Sequence, residues 1–349
     1  MFGRLVATVT VAALAWTWAP GVAPAAPAPV WHQRGIDMAP RLQWNANGGY
    51  CGEVSFISAG MRYGQYTSQW TARAVTSPGI AQWKAASYLL LGVNDLAAAR
   101  AMRLEAIDFR WRHQRSTEQY LRWVKGRFLR HDVVIIGVLN NVTTLGETPP
   151  GDREYDHIVP VMGIGSMTSL RTGRDSYFAS DAIIMSDNGL YNVGPTYPYL
   201  YSYRFSDFPM SREAANRPGG ALYSLRDRPA NFAVAITGVA DRDGTTIPVR
   251  LTSDVNGEGE WNVLIGKRPP APTSITLTAH VTIPDPEVAY NVYLYDDFSD
   301  VPRSDFNARA GQAIQAWRIP AGSGPKWTVT IAAMSDQTRV FRAVPTTAP

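Results

Sequence analysis

A chain of 349 residues with 45% hydrophobic and 18% charged residues is longer than one core usually organises and too apolar to stay unfolded. This composition excludes a disordered chain and favours two folded regions. The formal net charge of +4 is small, and the arginines between Arg100 and Arg130 alternate with apolar residues as on a solvated helix face, so no nucleic-acid partner is expected.

Residues 1–25 read as a secretory signal peptide: Arg4, an apolar run from Leu5 to Trp18, then Ala23-Pro24-Ala25 ahead of a cut. No other stretch approaches the roughly 20 apolar residues of a spanning helix. The mature protein is expected to be secreted or extracellular (periplasmic in a bacterium) and without a membrane span, with an uncleaved anchor as the alternative. Residues 26–35, rich in Ala and Pro, form an exposed lead-in, and folded sequence starts near Ile36.

A first domain is expected over 36–225. Gly48 and Gly49 supply a turn, and Val54, Ile57 and Met61 follow Cys51 at helical spacing, which predicts a helix from Cys51. Further helix is expected over Ile80–Leu91 and Val93–Met102, then a short strand over Leu104–Trp111. Ser116 and Gln119 form a capping box ahead of an amphipathic helix through Tyr120, Val124 and Phe128. Asp132–Leu139, His157–Ile164 and Ala182–Ser186 read as buried strands, with a Pro- and Gly-rich loop at Thr148–Asp152 and a turn at Asp187-Asn188-Gly189. Tyr197, Tyr199, Tyr201 and Tyr203 alternate after that turn as in an ordinary strand.

From about residue 226 the helical period disappears. Runs at Phe232–Val239, Ile247–Leu251, Trp261–Ile265, Ile275–Ile283, Tyr290–Tyr295, Ala313–Ile319 and Trp327–Ala332 predict a β-sandwich-like domain over 226–349. Asn141-Val142-Thr143 is a glycosylation acceptor if the source is eukaryotic.

Cys51 is the only cysteine, so it forms no internal disulfide, and it is either a buried small hydrophobe or a reactive thiol. A helix start behind a Gly-Gly turn aims free N–H groups at the sulfur and favours its anion, whereas Glu53 in the same turn opposes it. A thiol nucleophile needs a base, and the five histidines are His32, His113, His131, His157 and His280. His131 and His157 each open an apolar strand. His157 is favoured because Asp187 closes the next strand, and either Asp187 or Asn188 could orient the imidazole. Neighbours on a strand point to opposite faces, so only one of the two is expected to reach it. Gln43 is the leading side-chain donor to an oxyanion, with Asn45 and Asn47 as rivals.

The order Gln43, then GGYCGEVSFISAG, YDHIVPVMGIG and IIMSDNG resembles the papain-like cysteine peptidases, and among them the bacteriocin-processing double-glycine peptidases and their secreted relatives. The resemblance covers roughly residues 36–210. It implies an α+β papain-like fold and a Cys–His–Asp mechanism through an acyl-enzyme. It also implies a peptide or protein substrate, and no metal or organic cofactor. By that pattern Cys51 is the nucleophile, His157 the base, Asp187 the orienting group and Gln43 the oxyanion donor. The pattern departs from papain in the Gly52-Glu53 pair after the cysteine and in the long polar insert between His157 and Asp187. The alternatives are an acyl or amide transferase on the same site, and a secreted binding protein that keeps the scaffold without turnover.

Overall fold

The computed structural model describes residues 30–109, 116–141, 155–190, 196–227 and 230–346. The signal-like segment, residues 26–29 of the lead-in, His113, the Thr148–Asp152 loop and the last two residues of the glycosylation triplet lie outside the described residues. In chain order the elements begin with β1 (His32–Gly35), α1 (Cys51–Arg62), β2 (Gln65–Tyr66), α2 (Gln69–Thr76), α3 (Asp95–Ala101), β3 (Leu104–Asp108) and α4 (Thr117–Leu129). There follow β4 (Val133–Asn140), β5 (His157–Ser166), β6 (Ala182–Ser186), β7 (Leu200–Arg204), β8 (Pro209–Met210), α5 (Arg212–Ala215) and β9 (Tyr223–Arg226). The remainder is strand: β10 (Ala233–Val239), β11 (Val249–Ser253), β12 (Ser274–Thr282), β13 (Tyr290–Tyr295), β14 (Gln315–Ile319), β15 (Lys326–Met334) and β16 (Arg339–Pro345).

The largest sheet runs β3-β10-β4-β5-β6-β7, with β1 added to β5, β9 to β4 and β8 to β9. Apart from the two-residue β8–β9 pair, the described pairs are antiparallel. Strand β4 is buried at every position because successive side chains enter different cores. Val133 and Ile135 join Phe56, Ile57 and Met61 of α1, while Val134, Ile136 and Val138 join Tyr120, Val124 and Phe128 of α4. Helix α4 starts on the expected capping box, Ser116 Oγ accepting from the Gln119 N–H and Gln119 returning the bond.

Two smaller antiparallel sheets, β11-β12-β15 and β14-β13-β16-β2, share apolar residues such as Leu277, Val292 and Phe341 with the core under α1. The fold is a mixed α+β arrangement with several antiparallel sheets, and Trp31 onward forms one unit.

Several expectations change. Residues 80–91 hold only a 3-10 turn at Ala85–Ser87, because acceptors elsewhere take the N–H groups a helix would use. The Leu89 N–H donates to Glu53 and the Leu90 N–H to Asn94. The lead-in is shorter than expected, since His32–Gly35 already pairs with β5. Trp261–Ile265 alternates like a strand but is loop: Trp261 is buried among Trp44, Tyr50 and Trp70, while Leu264 is 94% exposed. The junction at 225/226 does not separate the sheets. Strand β10 returns to lie between β3 and β4, and β2, from the first region, completes the sheet of β13, β14 and β16.

Candidate active site

The chain approaches Cys51 through Asn47, Gly48 and Gly49, all with positive φ (50°, 78° and 89°), a conformation for which two glycines are suited. Arg73 of α2 holds this turn from inside. Its guanidinium donates to the carbonyls of Asn47 and Gln82, each within 3.1 Å, and to that of Gly49. It lies 3.7 Å from the Tyr50 ring centroid and pairs with Glu53 at 2.6 Å. From the C-terminal region, Gly266 and Asn47 exchange hydrogen bonds, the Asn45 N–H donates to the Trp261 carbonyl, and the Trp261 ring packs edge-on to Trp44.

Cys51 opens α1, whose N-terminus has no side-chain cap, and the residue as a whole is half-buried. The backbone N–H groups of Ile158 and Gly52 act on the sulfur to favour its anion. Gly52 is required by close approach: a Cβ there would stand 2.2 Å from the Leu89 carbonyl oxygen. Burial and the Glu53 carboxylate push the thiol up to about 11, outweighing the N–H groups and Arg73, so the helix start does not by itself produce a thiolate. The Cys51 N–H donates to no acceptor among the described residues.

His157 is buried at the start of β5, one residue before Ile158. Its Nε2–H donates to the Asp187 main-chain carbonyl at 3.0 Å, and since a carbonyl only accepts, Nδ1 carries the free lone pair. The ring stacks on Tyr223 at 5.9 Å, and burial pulls its pKa down to about 4. Among the described residues no hydrogen bond joins the Cys51 and His157 side chains. Neutral thiol and neutral imidazole are therefore the resting forms near pH 7.

Asp187 reaches His157 through its backbone, not through its carboxylate. Oδ1 accepts from the Gly189 N–H and Oδ2 from the Tyr223 hydroxyl, both at 2.9 Å, and burial raises the carboxyl above its usual range. Asn188 does not replace it. Its amide donates to Ser55 Oγ at 3.1 Å and to the Ile158 carbonyl at 3.3 Å, tying the turn to α1. Gln43 is buried, and its N–H donates to the Asn188 carbonyl at 3.0 Å. Because Asn45 gives its own amide N–H to the Leu190 carbonyl, its oxygen faces Gln43 and accepts one Nε2 hydrogen at 2.8 Å. One Nε2 hydrogen of Gln43 remains beyond the bond to Asn45, and Nε2 lies 4.0 Å from where a Cβ on Gly49 would stand.

Other candidates lie elsewhere. His131 accepts from Arg34 at 2.6 Å, His280 bonds Thr252, Asn47 is committed to Gly266, and His32 is on β1. Sequence reasoning missed Ser55, whose Oγ bridges the carbonyls of Cys51 and Ile158, and Arg73 and Tyr223, which act from other elements. Ser55 alone had a local signal, four residues after Cys51 on one helix face. No three His, Cys, Asp or Glu side chains among the described residues come together as a metal site. No described helix is long and apolar enough to cross a membrane. No family model, curated protein or solved structure matches the chain.

Proposed function

We propose that this chain is a papain-like cysteine hydrolase acting on a peptide or related amide, with Cys51 as nucleophile and His157 as base. The observation that carries the reading is the thiol at the uncapped start of α1, with the Ile158 N–H acting on it and with His157, the residue before Ile158, keeping Nδ1 as a free acceptor. On this reading Nδ1 comes within hydrogen-bond reach of the sulfur when substrate binds. As Sγ attacks the carbonyl carbon, the thiol proton passes to Nδ1. The carbonyl oxygen becomes an oxyanion facing the Cys51 N–H and the spare hydrogen of Gln43. Collapse expels the amine, which takes the proton from His157, and leaves a thioester that water hydrolyses. Proton transfer accompanies attack and does not precede it, because the resting pair is neutral.

Mass analysis after exposure to an activated ester such as p-nitrophenyl acetate tests this. One acyl group is expected on the peptide containing Cys51, formed at least about a hundredfold more slowly by His157→Ala. No acylation of the folded protein, or an unchanged rate in His157→Ala, would overturn the reading.

A further inference from the structure

A cavity of about 410 Å³ lies at the far end of α1 from Cys51, among Arg62, the His131 turn, the end of β10 and Arg342 of β16. A helix of 12 residues places it about 17 Å from the thiol by helical rise. Its size is that of a small-molecule site.

The charges around it do not cancel. Arg342 is 1% exposed, yet its donors go only to neutral oxygens: the carbonyls of Tyr63, Phe341 and Arg103, and Gln65 Oε1. Its Nε is buried without a partner, and desolvation pulls its pKa down to about 9. Arg62 is half-buried, its Nε also lacks an acceptor, and it makes no hydrogen bond or ion pair among the described residues. The nearby acids are already engaged. Asp132 pairs with Arg127 at 2.7 Å, and the Asp241 carboxylate accepts the N–H groups of Asp243 and Thr246. Arg130 is paired with Asp175. His131 accepts from Arg34, and burial and its two arginine neighbours hold it below its ordinary range.

The unpaired Arg62 guanidinium, with the Arg342 charge beside the same cavity only partly offset through space by Asp241, favours an anion whose oxygens match the planar donors of Arg62. The geometry points to a second binding site at this cavity, separate from Cys51, for a small molecule carrying a carboxylate or phosphate group held by Arg62 in the field of Arg342.

Thermal unfolding of the full chain with inorganic phosphate or with succinate, against chloride at equal ionic strength, tests it. A saturable rise in Tm is expected with at least one of them below about 10 mM. Phosphate alone would assign the site to phosphate groups, succinate alone to carboxylates, and a response to both to oxyanions in general. Arg62→Gln should weaken binding at least about tenfold while leaving the unliganded Tm nearly unchanged, since no bond is lost. Arg62→Lys, which keeps the charge but not the fork, should weaken it less and provides the comparison if Arg62→Gln does not fold. Arg318→Gln, an exposed control on β14, should bind as the parent does. No saturable shift with either anion, or equal affinity in the Arg62 variants, would overturn the assignment.

Discussion

Arg73 Nε donates to the Glu53 carboxylate at 2.6 Å with both side chains 1% exposed, so the helix that carries Cys51 is fastened to α2 by a fully buried ion pair. Glu53 also accepts the Leu89 N–H, and Arg73 also holds the turn at Asn47 and Gly49. Removing one partner leaves the other charge buried alone. Arg73→Met should destabilise the fold by about 3–5 kcal/mol in urea unfolding, and Glu53→Gln with Arg73→Met should recover part of that loss. A loss below about 1 kcal/mol would mean that the pair is not closed in solution.

The contact between His157 and Asp187 runs through the main chain, which separates two readings of Asp187. Asp187→Asn preserves the carbonyl and should lower the acylation rate by less than about tenfold. A side chain that orients the base would cost about 10⁴-fold. Tyr223→Phe removes a buried hydroxyl from the carboxylate and should cost about 1–3 kcal/mol of stability.

The buried pair also sets the pH response. A base works deprotonated, so with His157 held at about 4 the acylation rate should stay flat through pH 6 and fall by half only near pH 4. An acid limb near 6.5 would show that the imidazole is solvated in solution. With the thiol at about 11, iodoacetamide alkylation should still be rising between about pH 8 and pH 10.

Glu258 supplies a separate pH effect. It is buried against the start of α2, where both carboxylate oxygens lie 3.1 Å from the Gln69 N–H, and desolvation raises it to about 8 despite the Arg41 charge. The folded state therefore holds a proton that the unfolded chain has lost between pH 4.5 and about 8, so this group's stabilisation falls as pH rises through that window. Glu258→Gln should flatten the decline, measured as Tm against pH. A decline equally steep in the variant would assign it to other groups.

The residues that were legible in sequence are those whose signals are local. The Cys51 helix, the capping box of α4 and the strands β4, β5 and β6 follow from period and caps over a few residues. What stayed hidden depends on distant partners. Residues 80–91 have helical composition, but Glu53 and Asn94 capture their N–H groups. Trp261 and Leu264 alternate like a strand, yet one enters an aromatic cluster and the other meets solvent. Asp187 was identifiable as a neighbour of His157, but whether a carboxylate or a carbonyl makes the contact depends on Tyr223, 36 residues away.

Strand β10 lies between β3 and β4, bonded to both. The sheet that seats His157 thus takes an interior strand from the far side of the apparent junction, and the residues after 226 are not a cassette to be exchanged or cut away. A cut near residue 225 would strip β10 from between β3 and β4, leaving β3 without its partner and one edge of β4 bare.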